Sequence, residues 1–142
     1  MTYTKVFKRG DGSAICSLTL HDSAHPWTLH NVVWNNRQDF LDTEGATAFE
    51  VLDSKGKRIV EIKREEFDAG AAQYRVEFYE IPKDRGERIP TEKKDYVAAW
   101  SQPLAMALAK EMVPHYPPAT GFALLDMVTE RELDVWDKRF DD

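Results

Sequence analysis

Residues 73–81 read QYRVEFYEI, and this short stretch decides the fold class. Side chains alternate along it, with Tyr74, Val76 and Phe78 on one side and Arg75, Glu77 and Tyr79 on the other. A period of two is typical of a strand with one face in a core and one in solvent. The sequence therefore predicts a β-strand from Gln73 to Ile81.

Two hairpins are predicted before this strand. The segments Tyr3 to Lys8 and 14–20 (AICSLTL) flank a turn at 9–12, and the alternation of AICSLTL places Cys16 on an apolar face as a core filler. The second hairpin joins 47–53 to 58–64 through Asp53-Ser54-Lys55-Gly56, where glycine suits the left-handed conformation of a short loop.

Charge favours one pairing between the strands 58–64 and 73–81. The register that sets Glu61 opposite Arg75 avoids like charges on an exposed face, whereas the next register sets Glu61 opposite Glu77. A further strand is predicted at 27–34 (WTLHNVVW), followed by one or two helical turns at 36–44. Five to six strands joined by short turns indicate an antiparallel sheet.

The last third of the sequence reads as helical. Residues 82–90 form a polar linker bracketed by two prolines, and an apolar stripe with a spacing of four follows at Tyr96, Trp100, Leu104, Leu108 and Met112. Pro103 interrupts this stripe, so we expect either a kinked helix or two helices, with Ser101 capping the second.

The C-terminal end carries a second helix signal. Thr129-Glu130-Arg131-Glu132 matches a capping box, and apolar residues follow at helical spacing, which predicts a final helix at about 130–140. Residues 122–128 fit a strand or a helical turn, and the capping box after them favours a strand. No internal repeat of 20–50 residues is visible.

Together these patterns predict one α+β domain spanning 1–142. Residues 1–81 are mainly β and form an N-terminal antiparallel sheet of five to six strands. Residues 91–142 are mainly α and supply two to three C-terminal helices packed on one face of that sheet.

Composition excludes several classes of protein. The 142 residues carry 19 basic and 25 acidic side chains, a net charge of −6, and one cysteine. A single cysteine forms no intramolecular disulfide, and no apolar run is long enough for a membrane span. Seven of the acids and three of the bases lie in the last seventeen residues, so nucleic-acid binding through a basic face is not expected. We expect a cytoplasmic protein that needs no cofactor.

One cluster could carry chemistry. Three histidines and an aspartate lie close in sequence, at His21, Asp22, His25 and His30. Imidazoles and a carboxylate can bind a transition metal that activates water, but this spacing matches no established metal-binding motif. A small hydrolase using these four residues, with or without a metal, is therefore an alternative, and whether the chain is an enzyme stays open.

Several residues are candidates for contact with a partner. Proline-containing loops hold Trp27, which follows Pro26, and Tyr116, and alternation turns Tyr79 outward. The predicted final helix and the two residues after it carry four aspartates, which are Asp134, Asp137, Asp141 and Asp142. These features favour a non-catalytic protein-interaction module, such as an inhibitor, an adaptor or an immunity-type protein, that binds a basic partner. A small-ligand-binding domain is a second alternative, and neither the partner nor the oligomeric state is indicated.

Overall fold

A computed structural model describes residues 2–21, 27–82 and 87–138. The chain divides into two compact units, Met1–Gly70 and Ala71–Asp142. The expectation that they act as a single domain stays a prediction. No helix in the described ranges is long and apolar enough to cross a membrane.

The first unit is an antiparallel sheet of four strands in the order β2-β1-β3-β4. Its elements, in chain order, are β1 (Tyr3–Lys8), β2 (Ala14–Leu20), α1 (Leu29–Asp42), β3 (Ala48–Leu52), β4 (Arg58–Lys63) and α2 (Arg64–Ala69).

The second unit is also an antiparallel sheet of four strands, in the order β6-β5-β7-β8. Its elements are β5 (Ala72–Glu80), β6 (Ile89–Ala99), α3 (Gln102–Met112), a 3-10 turn (Val113–His115), β7 (Gly121–Asp126) and β8 (Glu132–Asp137).

The two units share one topology. Each runs hairpin, helix, hairpin, and each places the second strand of its first hairpin at a sheet edge. One pair of facing positions carries phenylalanine in both units: Phe7 lies opposite Phe49 in the first sheet, and Phe78 lies opposite Phe122 in the second. The chain therefore contains a structural repeat of about seventy residues, longer than the 20–50 residues in which the sequence shows none.

Aromatic rings form the core of the first unit. Phe40 of α1 is fully buried, and its ring centroid lies 5.4 Å from that of Phe7, 5.7 Å from Phe49 and 5.5 Å from Phe67. Edge-on and tilted rings at these distances attract one another in addition to burying area. Phe40 thereby joins α1 to the two central strands.

A lysine is also buried in the first unit. Lys5 lies on the same side of β1 as Phe7 and donates to the side-chain carbonyl of Asn36 of α1 at 2.7 Å. The Asn36 amide group in turn donates to the Val32 carbonyl at 2.8 Å. At the equivalent position of the second unit stands Val76, fully buried.

The core of the second unit lies between its sheet and the segment that follows β6. Phe78 and Phe122 are buried in the centre, and the Tyr116 ring stacks on Phe78 with 4.3 Å between centroids. Lys110 of α3 places its ammonium group 5.1 Å from the Trp136 ring of β8.

Several sequence predictions are confirmed. Both N-terminal hairpins form, and Gly56 has the expected positive φ of 81°. Residues 121–126 are a strand, and the Ser101 hydroxyl caps α3 by accepting from the Leu104 N–H at 3.3 Å. Along β5, Val76 and Phe78 are buried as the alternation requires.

The predicted single sheet of five to six strands is wrong, because the fold has two sheets of four. The predicted pairing of Glu61 with Arg75 is also wrong. β4 pairs with β3, which sets Glu61 opposite Glu50. Lys8 removes the expected repulsion by lying between the two carboxylates, 3.0 Å from Glu61 and 3.3 Å from Glu50.

The strand predicted at 27–34 is wrong because residues 29–34 belong to α1. The Thr28 hydroxyl caps the helix by accepting from the Asn31 N–H at 3.1 Å. The buried residues of α1 keep a helical spacing across residue 35, which separates the predicted strand from the predicted helical turns. These buried residues are Leu29, Val32, Val33, Asn36 and Phe40.

Two predicted helices in the last third are strands. The spacing of four that predicted a helix before Pro103 also fits a strand, because four is a multiple of two; β6 buries Val97 and Ala99 and exposes Tyr96. The helix predicted at 130–140 is wrong because Glu130 has a φ of 58° and residues 132–137 pair with β7. The described part of 91–142 thus holds one α-helix, α3, between strands.

Candidate interaction site

The connection between β7 and β8 is a tight, well-bonded turn, here called the β7–β8 tip (residues 126–131). The Asp126 carboxylate accepts from the backbone N–H groups of Val128 at 2.8 Å and Thr129 at 2.9 Å. The Glu130 N–H donates to the Asp126 carbonyl at 2.9 Å. The N–H donors of Thr129 and Val128 lower the pKa of Asp126, because they stabilise its ionised form.

The β7–β8 tip presents apolar side chains to solvent. Val128 is 91% exposed and Met127 is 40% exposed, and Leu133 of β8 is also exposed. Because the turn is already ordered by its hydrogen bonds, it loses little further conformational entropy when a partner covers the exposed valine. Sequence reasoning missed Met127 and Val128 because the capping box at 129–132 placed them at the end of a core element. The available signal was Asp126 itself, a residue type that starts turns of this kind.

Acidic side chains lie close to these apolar groups in sequence. Residues 126–134 contain four acids and one base, a net charge of −3. Glu130 lies 3.5 Å from Arg75 of β5, and Glu132 lies 2.7 Å from Arg88. Asp134 is exposed. The tip and the start of β8 therefore combine exposed apolar side chains with three exposed acids, Glu130, Glu132 and Asp134, here called the acidic rim, of which Glu130 and Glu132 are each paired with an arginine.

Tyr79 belongs to the same network. Its ring lies under the Arg88 guanidinium, 4.7 Å away, and its hydroxyl donates to Glu77 at 3.2 Å. Burial, followed by the charge of Glu77, raises the pKa of Tyr79. Because Arg88 also pairs with Glu132, the structure joins Tyr79 to the acidic rim.

The other predicted recognition residues are placed elsewhere. Tyr116 stacks on Phe78 and its hydroxyl donates to Asp95, which raises the pKa of Tyr116. Asp137 is buried, and Trp27 lies half-buried before α1 in the first unit. Asp141 and Asp142 lie outside the described residues.

The four residues considered for a metal are described only in part. His21 is exposed after β2, and His30 is exposed in the first turn of α1, with its ring 5.4 Å from that of Trp34. Asp22 and His25 lie outside the described residues. Within the described ranges, no group of three or more histidine, cysteine or acidic residues is arranged to hold a metal ion.

Two surface cavities bear on the small-ligand alternative. One lies where β5 meets β6 and has a volume of about 230 Å³; the other lies beside the β1–β2 turn and has about 260 Å³. Both are smaller than the roughly 300 Å³ expected of a site for a drug-sized ligand.

Comparison with known protein families, with curated proteins and with solved structures finds no match to this chain. Functional inference therefore rests on the geometry of the chain itself.

Proposed function

We propose that this chain is a non-catalytic protein-interaction module, of the inhibitor, adaptor or immunity type, that binds a basic partner through the β7–β8 tip. The observation that carries the proposal is the 91% exposure of Val128 in a bonded turn, with the exposed acids Glu130, Glu132 and Asp134 following it in sequence. A cytoplasmic location is part of the proposal, since a single cysteine needs no oxidising compartment.

The chemistry of the tip defines the partner. Binding energy concentrates in a few central groups that a rim shields from water, and charges on the rim raise the association rate and select partners of opposite sign. Val128 and Met127 supply the central apolar groups, and the acids supply the rim. The partner is therefore a protein with an apolar depression surrounded by lysine or arginine side chains.

The first unit contains a matched control for this site. In the β3–β4 turn, Asp53 accepts from the backbone N–H groups of Lys55 and Lys57 at 2.9 Å each, much as Asp126 does in the β7–β8 tip. Lys55, like Val128, is the second residue after the aspartate that closes its turn, and the β3–β4 turn is one residue shorter and of opposite surface chemistry.

Photo-crosslinking from these two positions tests the proposal. A crosslinking residue at position 128 or at position 55 is exposed to extract of the source cell, at low and at high ionic strength. We expect a specific product from position 128 that weakens at high ionic strength, and none from position 55. For the captured partner, Val128→Ser should weaken binding at least about tenfold, and Lys55→Ser should leave it unchanged. The same products from both positions, or unaltered binding by Val128→Ser, would refute the proposal.

A further inference from the structure

Strand β8 is an edge of the second sheet, and its bonds to β7 fix which of its backbone groups face outward. The Lys138 N–H donates to the Thr120 carbonyl at 2.9 Å. This bond continues the register of the two strands, in which Gly121 lies opposite Asp137. Because successive residues of a strand direct their backbone groups to opposite sides, Val135, three residues before Lys138, faces away from β7. The Val135 N–H therefore points to the open side of the sheet.

An aspartate accepts this outward N–H. The Oδ1 atom of Asp134 lies 2.8 Å from the Val135 nitrogen. A strand that pairs with an edge brings a carbonyl oxygen to about 2.9 Å from each outward nitrogen. The Asp134 carboxylate already occupies that place, and its negative charge repels a carbonyl oxygen. Strand addition to β8 must therefore first break the bond between Asp134 and Val135.

The opposite edge of the same sheet, β6, has the same arrangement. The Phe78 carbonyl faces β6, because it accepts from the Thr91 hydroxyl at 2.9 Å. Val76, two residues earlier, faces the same way and lies opposite Asp95, so the residue after Asp95, Tyr96, faces outward. The Tyr96 N–H donates to the Oδ1 atom of Asp95 at 2.8 Å. On each edge, the residue that precedes an outward N–H is thus an aspartate that accepts it.

The Asp95 carboxylate is also held from the core side. Its second oxygen, Oδ2, accepts from the Tyr116 hydroxyl, and the Tyr116 ring stacks on the buried Phe78. A carboxylate bonded through both oxygens is restricted in rotation. The acceptor on β6 is therefore fixed in position by the packing of the second unit.

We infer that Asp95 and Asp134 close both edges of the second sheet to strand addition, so that a partner of the β7–β8 tip binds it through side chains alone. Proteins recognise partners either by adding a strand to an open sheet edge or by fitting side chains into a surface. β8 begins directly after the tip, and its closed edge removes the first mode there. The exposed side chain of Val128 serves the second mode. The part of the inference that concerns the partner rests on the proposed function.

Hydrogen exchange of single amides, followed by NMR on the chain alone, tests the closing bonds. Asp134→Ala should accelerate exchange of the Val135 amide at least about tenfold beyond the change in its intrinsic rate, because a bond to a charged acceptor is lost. Asp134→Asn keeps an oxygen acceptor, and Glu132→Ala removes an equal charge from the same strand, so both should leave that amide protected. An unprotected Val135 amide in the wild-type chain, or equal acceleration by Glu132→Ala, would overturn the inference.

A peptide of alternating lysine and valine residues tests strand addition itself, since its charge suits an acidic edge. In an NMR titration, we expect no saturable shift of the amides of residues 133–137 in the wild-type chain or in Asp134→Asn. The same amides should show saturable shifts in Asp134→Ala, where the closing group is absent. Saturable shifts in the wild-type chain, or none in Asp134→Ala, would overturn the inference.

Both experiments use the chain without its partner. Their outcome is therefore independent of crosslinking from position 128, which tests the proposed function. If crosslinking succeeds and the peptide also pairs with β8 of the wild-type chain, the tip remains the binding site and only the closure of the edge is refuted.

Discussion

The two units share one topology but differ at two equivalent places, which are a buried position of a central strand and an edge strand. In the first unit a buried lysine, Lys5, reaches Asn36 of the helix, whereas the second unit places Val76 at the equivalent position. The edge strand β2 of the first unit carries no charged residue, whereas its counterpart β6 carries charged residues and a proline. The difference shows that strand order and the central phenylalanine pairs suffice for the topology, so the remaining positions are free to carry specific polar contacts and surfaces.

The largest expected effect is on the aromatic core of the first unit. Phe40→Ala removes a fully buried ring that contacts three other phenylalanines, and should lower the free energy of unfolding by about 3–5 kcal/mol. Chemical denaturation measures the loss, and Asn35→Ala on the exposed side of α1 is the control. Hydrogen exchange should accelerate in β1 and β3. An equal acceleration in β5 and β7 would break the comparison, because it would mean that the two units unfold together.

A smaller effect is expected at the buried lysine. Asn36→Ala removes the carbonyl that Lys5 contacts and should cost about 2–3 kcal/mol, since a buried ammonium group loses a hydrogen-bond partner. Lys5→Met removes the charge itself and should cost less than about 1 kcal/mol, because an apolar residue already serves at the position of Val76. The denaturation midpoints of the two variants show which substitution lowers stability more. If Lys5→Met proves the more damaging change, Asn36 is not the contact that stabilises the lysine.

The smallest effect concerns pH. A hydrogen bond from Lys8 lowers the pKa of Glu61 from its ordinary value of 4.5. A carboxyl group whose pKa is lower in the folded state stabilises the fold above its unfolded pKa, and this contribution is lost as the pH falls through the folded pKa.

Glu61→Gln should therefore reduce stability at neutral pH by less than about 1 kcal/mol and flatten its decline below about pH 4.5. Stability measured across this range, with the exposed Glu44→Gln as control, provides the test. An unaltered acid profile in Glu61→Gln would show that Lys8 does not stabilise the fold through this carboxylate.

Local patterns predicted the hairpins of the first unit and the alternation of β5, because a period of two and a turn glycine act within a few residues. Local patterns gave the wrong element where one spacing fits two structures. The spacing of four around Tyr96 and Trp100 fits both a strand and a helix. Only the pairing of β6 with β5 decides between them. Neither the pairing partners nor Lys8 between two carboxylates is visible in the sequence, because both depend on contacts between distant segments.

The candidate site was predictable to a similar extent. Acidity near the C-terminal end and an outward Tyr79 were visible in the sequence, and the structure places Tyr79 beside the acidic rim. The exposure of Val128 was not visible in the sequence, because it depends on a turn that Asp126 closes, at a place where the sequence favoured the start of a helix. The sequence therefore indicated the chemistry of this surface better than its shape.

The charged side chains of β4 have a consequence for aggregation. One edge of the first sheet ends in Arg58, Glu61 and Lys63. A strand of another molecule would have to pair with these charged residues, so β4 opposes growth of the sheet into a fibre.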